Sequence, residues 1–155
     1  TGHLLFATLH TNSAAQAVTR LLDMGLKEYQ VMTALRGVLA QRLMRRLCTH
    51  CRTPIHSEHS GLDWESFPEP PPEVVYKPSG CENCNGIGFH GRVPVFELLE
   101  ITSEMRRLRG SELDAHKLTD LCRHKEFGSL AQSARARVAA GVSSVSEYFN
   151  LLGEE

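Results

Sequence analysis

Little is in excess in these 155 residues, and the deficits exclude several classes of protein. Seventeen Lys and Arg against eighteen Asp and Glu leave a formal charge of −1. That is not the basic surplus with which nucleic-acid binders neutralise phosphates. Aromatic residues make up only 6%, and none cluster beside basic residues as a base-stacking platform requires. No apolar run approaches the ~18–20 residues of a membrane span, and no charged leader precedes a short apolar stretch, which predicts a soluble domain. No Gly-x-x-x-x-Gly-Lys-Ser/Thr string occurs, so these residues hold no phosphate-cradling loop of their own. Hydrophobic residues at 41% are near the globular average, which argues against wholesale disorder. The length suits one domain or two small ones. The chain opens on Thr1-Gly2-His3 and runs straight into the apolar Leu4-Leu5-Phe6, the pattern of a piece cut from a longer protein.

What is present reads as mixed α/β. Leu4 to Leu9 is mostly apolar and predicts a short buried strand. Ser13 and Gln16 have capping-box spacing, and Val18, Leu21 and Leu22 follow at helical intervals up to Gly25, a natural residue for the left-handed position after a helix. A second helix is predicted from Lys27 to about Leu39, with Val31, Met32 and Leu35 inward. Residues 41–47 fit strand or helix. Six of the seven prolines fall between 53 and 80, which predicts a loop-rich excursion. Arg92 to Leu99 reads as a β-rich run with Pro94 at an edge. From Ser103 the pattern is helical, approximately 103–109, 112–124, 129–140 and 144–152, with Ser144 and Glu147 as another capping box.

Four of the five cysteines form Cys48-x-x-Cys51 and Cys81-x-x-Cys84. Two residues between thiolates let both reach one ion from a tight turn, and two such knuckles complete a closed tetrahedral zinc site. The rival readings are two disulfides or four unrelated thiols. Duplication of the knuckle favours structural Zn2+, because four thiolates leave no position open for water or substrate. Arg45, Arg46 and Arg52 lie beside the first knuckle, either offsetting its charge or on a solvated face. Cys122, at an apolar helical position, is expected to be an ordinary buried thiol. His3 and His10 flank the first apolar run at an odd interval, which puts them on opposite faces of a strand. Histidines so placed are either structural or reactive, and periodicity does not choose.

A resemblance does choose. Thr1 to Asn12 is similar to the histidine box of the secretion ATPase superfamily, specifically the type II secretion and type IV pilus assembly ATPases. The likeness continues through Thr19 to Gly25, Ala40 to Cys48, the four-cysteine insertion and Gly91 to Leu99. It implies the carboxyl-terminal part of a RecA-like P-loop ATPase domain with an inserted zinc-binding module and a helical tail. The divisions so implied are 1–47 with 91–102 for the core, 48–90 for the zinc module and 103–155 for the helical subdomain. Retraction ATPases of the superfamily lack the insertion, which implies strands at 41–47 and 92–99 on either side of it. The resemblance implies that His10 contacts the γ-phosphate, that His3 supports its strand, that Arg42 with Gln41 lies near the nucleotide, and that Arg20 joins an ion-pair network.

The parent it implies is a cytoplasmic hexamer that hydrolyses ATP with Mg2+. It would work with inner-membrane platform and cytoplasmic adaptor proteins, peripherally at the inner membrane, without nucleic acid. The 155 residues alone are expected to be inactive. The alternative is a zinc-ribbon module for protein or nucleic acid without catalysis. Cys81-Glu-Asn-Cys84-Asn-Gly86-Ile-Gly88 matches the Cys-x-x-Cys-x-Gly-x-Gly knuckle of J-type chaperone zinc domains, which carry several copies where this chain has one.

Overall fold

The computed structural model describes residues 2–66, 69–122 and 128–153, without the Cys122 side chain, so the expectation for that thiol lies outside the described residues. Among the described residues, five α-helices and four strands occur, in the order α1 (Ala14–Asp23), α2 (Glu28–Ala34), β1 (Gly37–Leu47), β2 (Thr53–His56), β3 (Val74–Lys77), β4 (Phe89–Glu100), α3 (Ala115–Cys122), α4 (Leu130–Ala139) and α5 (Val145–Leu152). The architecture is mixed α/β with two small sheets, β1 with β4 and β2 with β3. No helix among the described residues is long and apolar enough to cross a membrane. The chain divides into two compact units, Thr1–Ala40 with Leu98–Glu126 and Gln41–Glu97 with Phe127–Glu155.

In the first unit, α1 starts and stops as its sequence dictates. The Ser13 hydroxyl accepts the Gln16 N–H at 3.2 Å, while the Gln16 side chain reaches back to the Asn12 N–H at 3.2 Å. At the other end Gly25 takes φ +90°. There the Gly25 N–H donates to Leu22 O at 2.9 Å and the Leu26 N–H to Leu21 O at 3.4 Å, the paired bonds of a Schellman ending. Ala14, Val18, Met32, Leu99, Met105 and Leu118 form the core of this unit.

The second helix stops at Ala34, five residues short of the predicted Leu39. Its end shows in the local backbone and in one long-range contact. Leu35 turns extended, and Arg106 donates to the carbonyls of Met32, Thr33 and Leu35 that a longer helix would have used. Residues from Gly37 onward instead enter β1, with the Ile101 N–H bonded to Arg36 O at 3.0 Å. At the helix start, Glu28 accepts the Gly110 N–H.

The predicted strand at Leu4–Leu9 is not formed, and Leu4, Leu5 and Phe6 are 72%, 84% and 86% exposed. No strand among the described residues pairs with it, and an unpartnered extended segment leaves its N–H and C=O groups to water. The predicted 103–109 helix is reduced to one turn at Met105–Arg107. The predicted 112–124 helix is α3, as far as the described residues extend.

In the second unit, residues 41–47 resolve as strand, and β4 occupies the predicted 92–99 run with a few more residues at its start. The Cβ direction of Gly37 meets Leu99 O in the first unit, while here Arg46 Nε donates to His90 O at 3.1 Å and Cys48 N–H to Gly88 O at 3.0 Å. The two strands therefore run antiparallel. The proline-rich excursion is more ordered than predicted: β2 and β3 pair antiparallel, Thr53 with Lys77 through His56 with Val74. Pro54 is tolerated because a two-stranded sheet has only edges. Two described points of the excursion, Trp64 and Glu69, are held by a buried cation. Arg135 of α4, 4% exposed, donates to the Glu69 carboxylate and to Glu69 O, each at 2.7 Å, and lies 5.0 Å over the Trp64 ring. The helices α4 and α5 fall at the predicted 129–140 and 144–152, and Ser129 and Ser144 cap them.

Candidate functional site

Cys48 follows the last residue of β1, and Cys51 lies in the turn after it; Cys81 and Cys84 bracket a single helical turn just before β4. The turns are closed by Arg52 N–H to Cys48 O at 3.0 Å and Gly86 N–H to Cys81 O at 2.9 Å. Two glycines make the second knuckle possible. Gly80 and Gly88 have φ +101° and +76°, and a Cβ would lie 2.4 Å from Gly86 O in the first case and 2.5 Å from Pro78 Cβ in the second. No other residue fits either place without moving backbone.

All four sulfurs lie within 4.8 Å of one another. Cys48 to Cys81 is 3.9 Å, and Cys51 to Cys84 and Cys81 to Cys84 are 3.8 Å. A disulfide requires about 2.05 Å, so the four thiols are free. A tetrahedron with Zn–S bonds of about 2.3 Å has edges near 3.8 Å. The donor set and its spacing therefore fit zinc, and four thiolates would close its coordination. Backbone N–H groups point at the sulfurs as they would for thiolates: Gly80 to Cys51 at 3.3 Å, and Cys81 and Gly88 to Cys84 at 3.2 Å each. Burial opposes ionisation of Cys84, but the Cys81 and Gly88 N–H groups outweigh it and lower the thiol to about 6. Burial, with hydrogen bonding to Cys51 and Cys84, raises Cys81 to about 11.

The arginines beside the first knuckle serve other groups. Arg45 binds the Glu147 carboxylate through Nε at 2.9 Å and Nη2 at 2.6 Å, and lies 4.2 Å over the Phe89 ring. Arg46 donates to His90 O. Arg52 donates to Gly141 O and lies 4.3 Å over the Tyr76 ring. Arg45 and Arg46 are exposed, as on a solvated face, and Arg52 is half-buried.

Of the sequence-predicted site residues, the structure brings together only the four cysteines. His3 and His10 are exposed on the irregular segment before α1, and Arg20 is exposed in the last turn of α1. Gln41 and Arg42 are neighbours on β1 in the other unit, Gln41 exposed and Arg42 half-buried. Arg42 borders a cleft of about 360 Å³ with Leu43, Arg45, Glu147, Asn150 and Leu151.

Sequence reasoning missed the Arg45–Glu147 pair. The spacing makes Glu147 the second half of a capping box, and half of that holds: its N–H donates to the Ser144 hydroxyl at 3.3 Å. Its carboxylate is spent on Arg45 instead, accepting the Arg45 main-chain N–H at 2.8 Å as well as the guanidinium. No local signal could have found a partner 102 residues away.

In class, this is a mixed α/β chain in which four clustered cysteines could hold a metal ion. The profile of the type II/IV secretion system protein family matches residues 1–150. The chain is 37% identical over 149 residues to the type IV pilus assembly ATPase PilB of Thermus thermophilus, which covers 95% of the chain and 17% of that protein. It is 35% identical over 157 residues to type II secretion system protein E of Pseudomonas aeruginosa, covering 100% of the chain and 31% of that protein. With the type II secretion system protein HxcR of Pseudomonas aeruginosa the identity is 39% over 147 residues, 95% of the chain and 28% of that protein. The chain thus belongs to the type II/IV secretion system protein family, and it spans less than a third of the length of these curated relatives.

Proposed function

We propose that the chain is the carboxyl-terminal part of a cytoplasmic hexameric ATPase, RecA-like in its core, that drives assembly of a type II secretion pseudopilus or a type IV pilus. The observation that carries this is the family match along residues 1–150, in company with relatives named as pilus assembly ATPases. ATP phosphates and Mg2+ are held by residues outside these 155, which contain no Gly-x-x-x-x-Gly-Lys-Ser/Thr loop. On this reading His10 senses the γ-phosphate and His3 supports its segment, Arg42 with Gln41 lies near the nucleotide, and Arg20 belongs to an ion-pair network. Residues 1–47 and 91–102 belong to the motor core, and 103–155 to a helical subdomain.

The module at 48–90 holds Zn2+ through Cys48, Cys51, Cys81 and Cys84, and its role is to present a rigid surface. Zinc supplies cross-linking there rather than Lewis-acid chemistry, since a tetrathiolate leaves no open coordination position. Partners are further copies of the same chain and the platform and adaptor proteins of the machine at the inner membrane, with no nucleic acid. The 155 residues alone do not turn over ATP.

The test is ATP turnover by the full-length, zinc-loaded, assembled protein beside its His10→Ala variant. Turnover should fall about 100-fold, the size of effect seen when one charge-stabilising donor is removed from a transition state, with zinc content and assembly unchanged. A full-length protein that assembles with zinc and shows no turnover overturns the motor, and a non-catalytic zinc-ribbon binding module becomes the account. Full turnover by His10→Ala removes that residue from the phosphate site.

A further inference from the structure

The first cysteine knuckle is stitched along its approach to a segment nearly a hundred residues later. Leu47 N–H donates to Val142 O at 2.9 Å. The Ser143 hydroxyl, fully buried, donates to Arg45 O at 2.8 Å. Arg45 N–H and its guanidinium bind both oxygens of Glu147, which is only 7% exposed. Beyond the second cysteine of the knuckle, Arg52 donates to Gly141 O. Residues 45–52, which carry Cys48 and Cys51, are thus bonded at four places to residues 141–147, the turn and first helical turn that open α5. Asn150 of α5 adds a bond to the Glu147 carboxylate at 3.3 Å. On its other side the same strand end is tied to the second knuckle through Cys48 N–H and Gly88 O.

We propose that the 141–147 segment with α5 is a latch on the first cysteine knuckle, so that metal retention and docking of α5 form one linked equilibrium. The proposal rests on the zinc reading above. A tetrathiolate ion fixes the spacing of Cys48 and Cys51, and with it the backbone of 45–52 to which the latch bonds. Linkage is reciprocal: whatever factor the metal contributes to docking of α5, docking contributes to metal affinity. Glu147 and Arg45 are positioning residues in this scheme and touch no metal.

The experiment uses the full-length protein. Zinc release to a chromophoric chelator is timed for wild type, Glu147→Gln and Ser60→Ala, and amide exchange is mapped before and after the metal is stripped. Glu147→Gln is expected to release zinc about tenfold faster, as for residues coupled in one network. Ser60→Ala, which loosens the same unit at Trp64, should stay within about twofold because the Ser60 hydroxyl bonds only Ser57 O, the Leu62 N–H and the Trp64 ring N–H. Stripping the metal from wild type should speed exchange over 142–152 and leave α1 unchanged. Equal acceleration by Ser60→Ala, or release from Glu147→Gln at the wild-type rate, overturns the latch. So does metal removal that leaves exchange over 142–152 unchanged. If Glu147→Gln does not fold, Asn150→Ala, which removes a single bond to the same carboxylate, takes its place: faster release supports the latch, and release at the wild-type rate overturns it. A protein that is purified without zinc and takes none up overturns the zinc reading itself. A zinc-loaded protein without the coupling overturns the latch alone.

Discussion

Two segments carry the residues most readily singled out in this chain, and they end in opposite conditions. The stretch from His3 to His10 is irregular and exposed, its Leu5 and Phe6 facing water. The stretches around Cys48–Cys51 and Cys81–Cys84 converge until all four sulfurs share one point in space. A pair of knuckles contains everything its chemistry needs, namely four donors and the turns that aim them. A strand needs neighbours for its backbone and a layer for its side chains. The lesson is that a motif is complete in a chain only when its partners are also in that chain.

The contrast is broken most severely by removing one sulfur. Cys81→Ser is expected to abolish stoichiometric zinc binding and to unfold the second unit locally, since structural zinc of this type contributes on the order of 10 kcal/mol. Metal analysis together with calorimetry checks this, and the α1–α2–α3 unit should keep its own transition. A smaller effect comes from pH. Burial works against the Glu147 carboxylate, but the Arg45 guanidinium and main-chain N–H outweigh it and hold its pKa below the ordinary value. A carboxylate whose folded pKa is depressed stabilises fully above its unfolded pKa, near 4.3, and the contribution is lost as pH falls through the folded value. Thermal melts taken from about pH 5.5 downward should therefore show a steeper loss for wild type than for Glu147→Gln, which has no such proton to take up. The smallest effect sharpens the other half of the contrast. Leu5→Ser in this 155-residue chain should change stability by less than about 0.5 kcal/mol in a denaturant titration, as for other exposed positions. A loss of about 2 kcal/mol or more would mean that the segment is packed after all.

Local chemistry made some of this legible. Ser13, Gly25 and Ser144 mark helix ends because a hydroxyl and a left-handed glycine act within one turn of their own position. The convergence of the four thiols was equally plain, since the x-x spacing states the geometry of each half. What stayed hidden was set by distance along the chain. The end of α2 at Ala34 depends on Arg106 and on the partner strand of β1. Order within the proline-rich excursion depends on Arg135, reaching Glu69 from a helix 66 residues on. Gly80 and Gly88 could be seen as useful to a turn, but not as places where Gly86 O and Pro78 leave no room for a side chain.

The order of residues alone was thus enough for the mixed α/β class, the two knuckles and their thiol donors, the starts of α1 and α5 and the family to which the chain belongs. Those depend on contacts within a few residues or on the pattern as a whole. Folding in three dimensions chose where the strand β1 begins, what the three knuckle arginines bind and which carboxylate stands beside Arg45. These are choices among partners far apart in sequence, and their free energies depend on what else is desolvated at the same place.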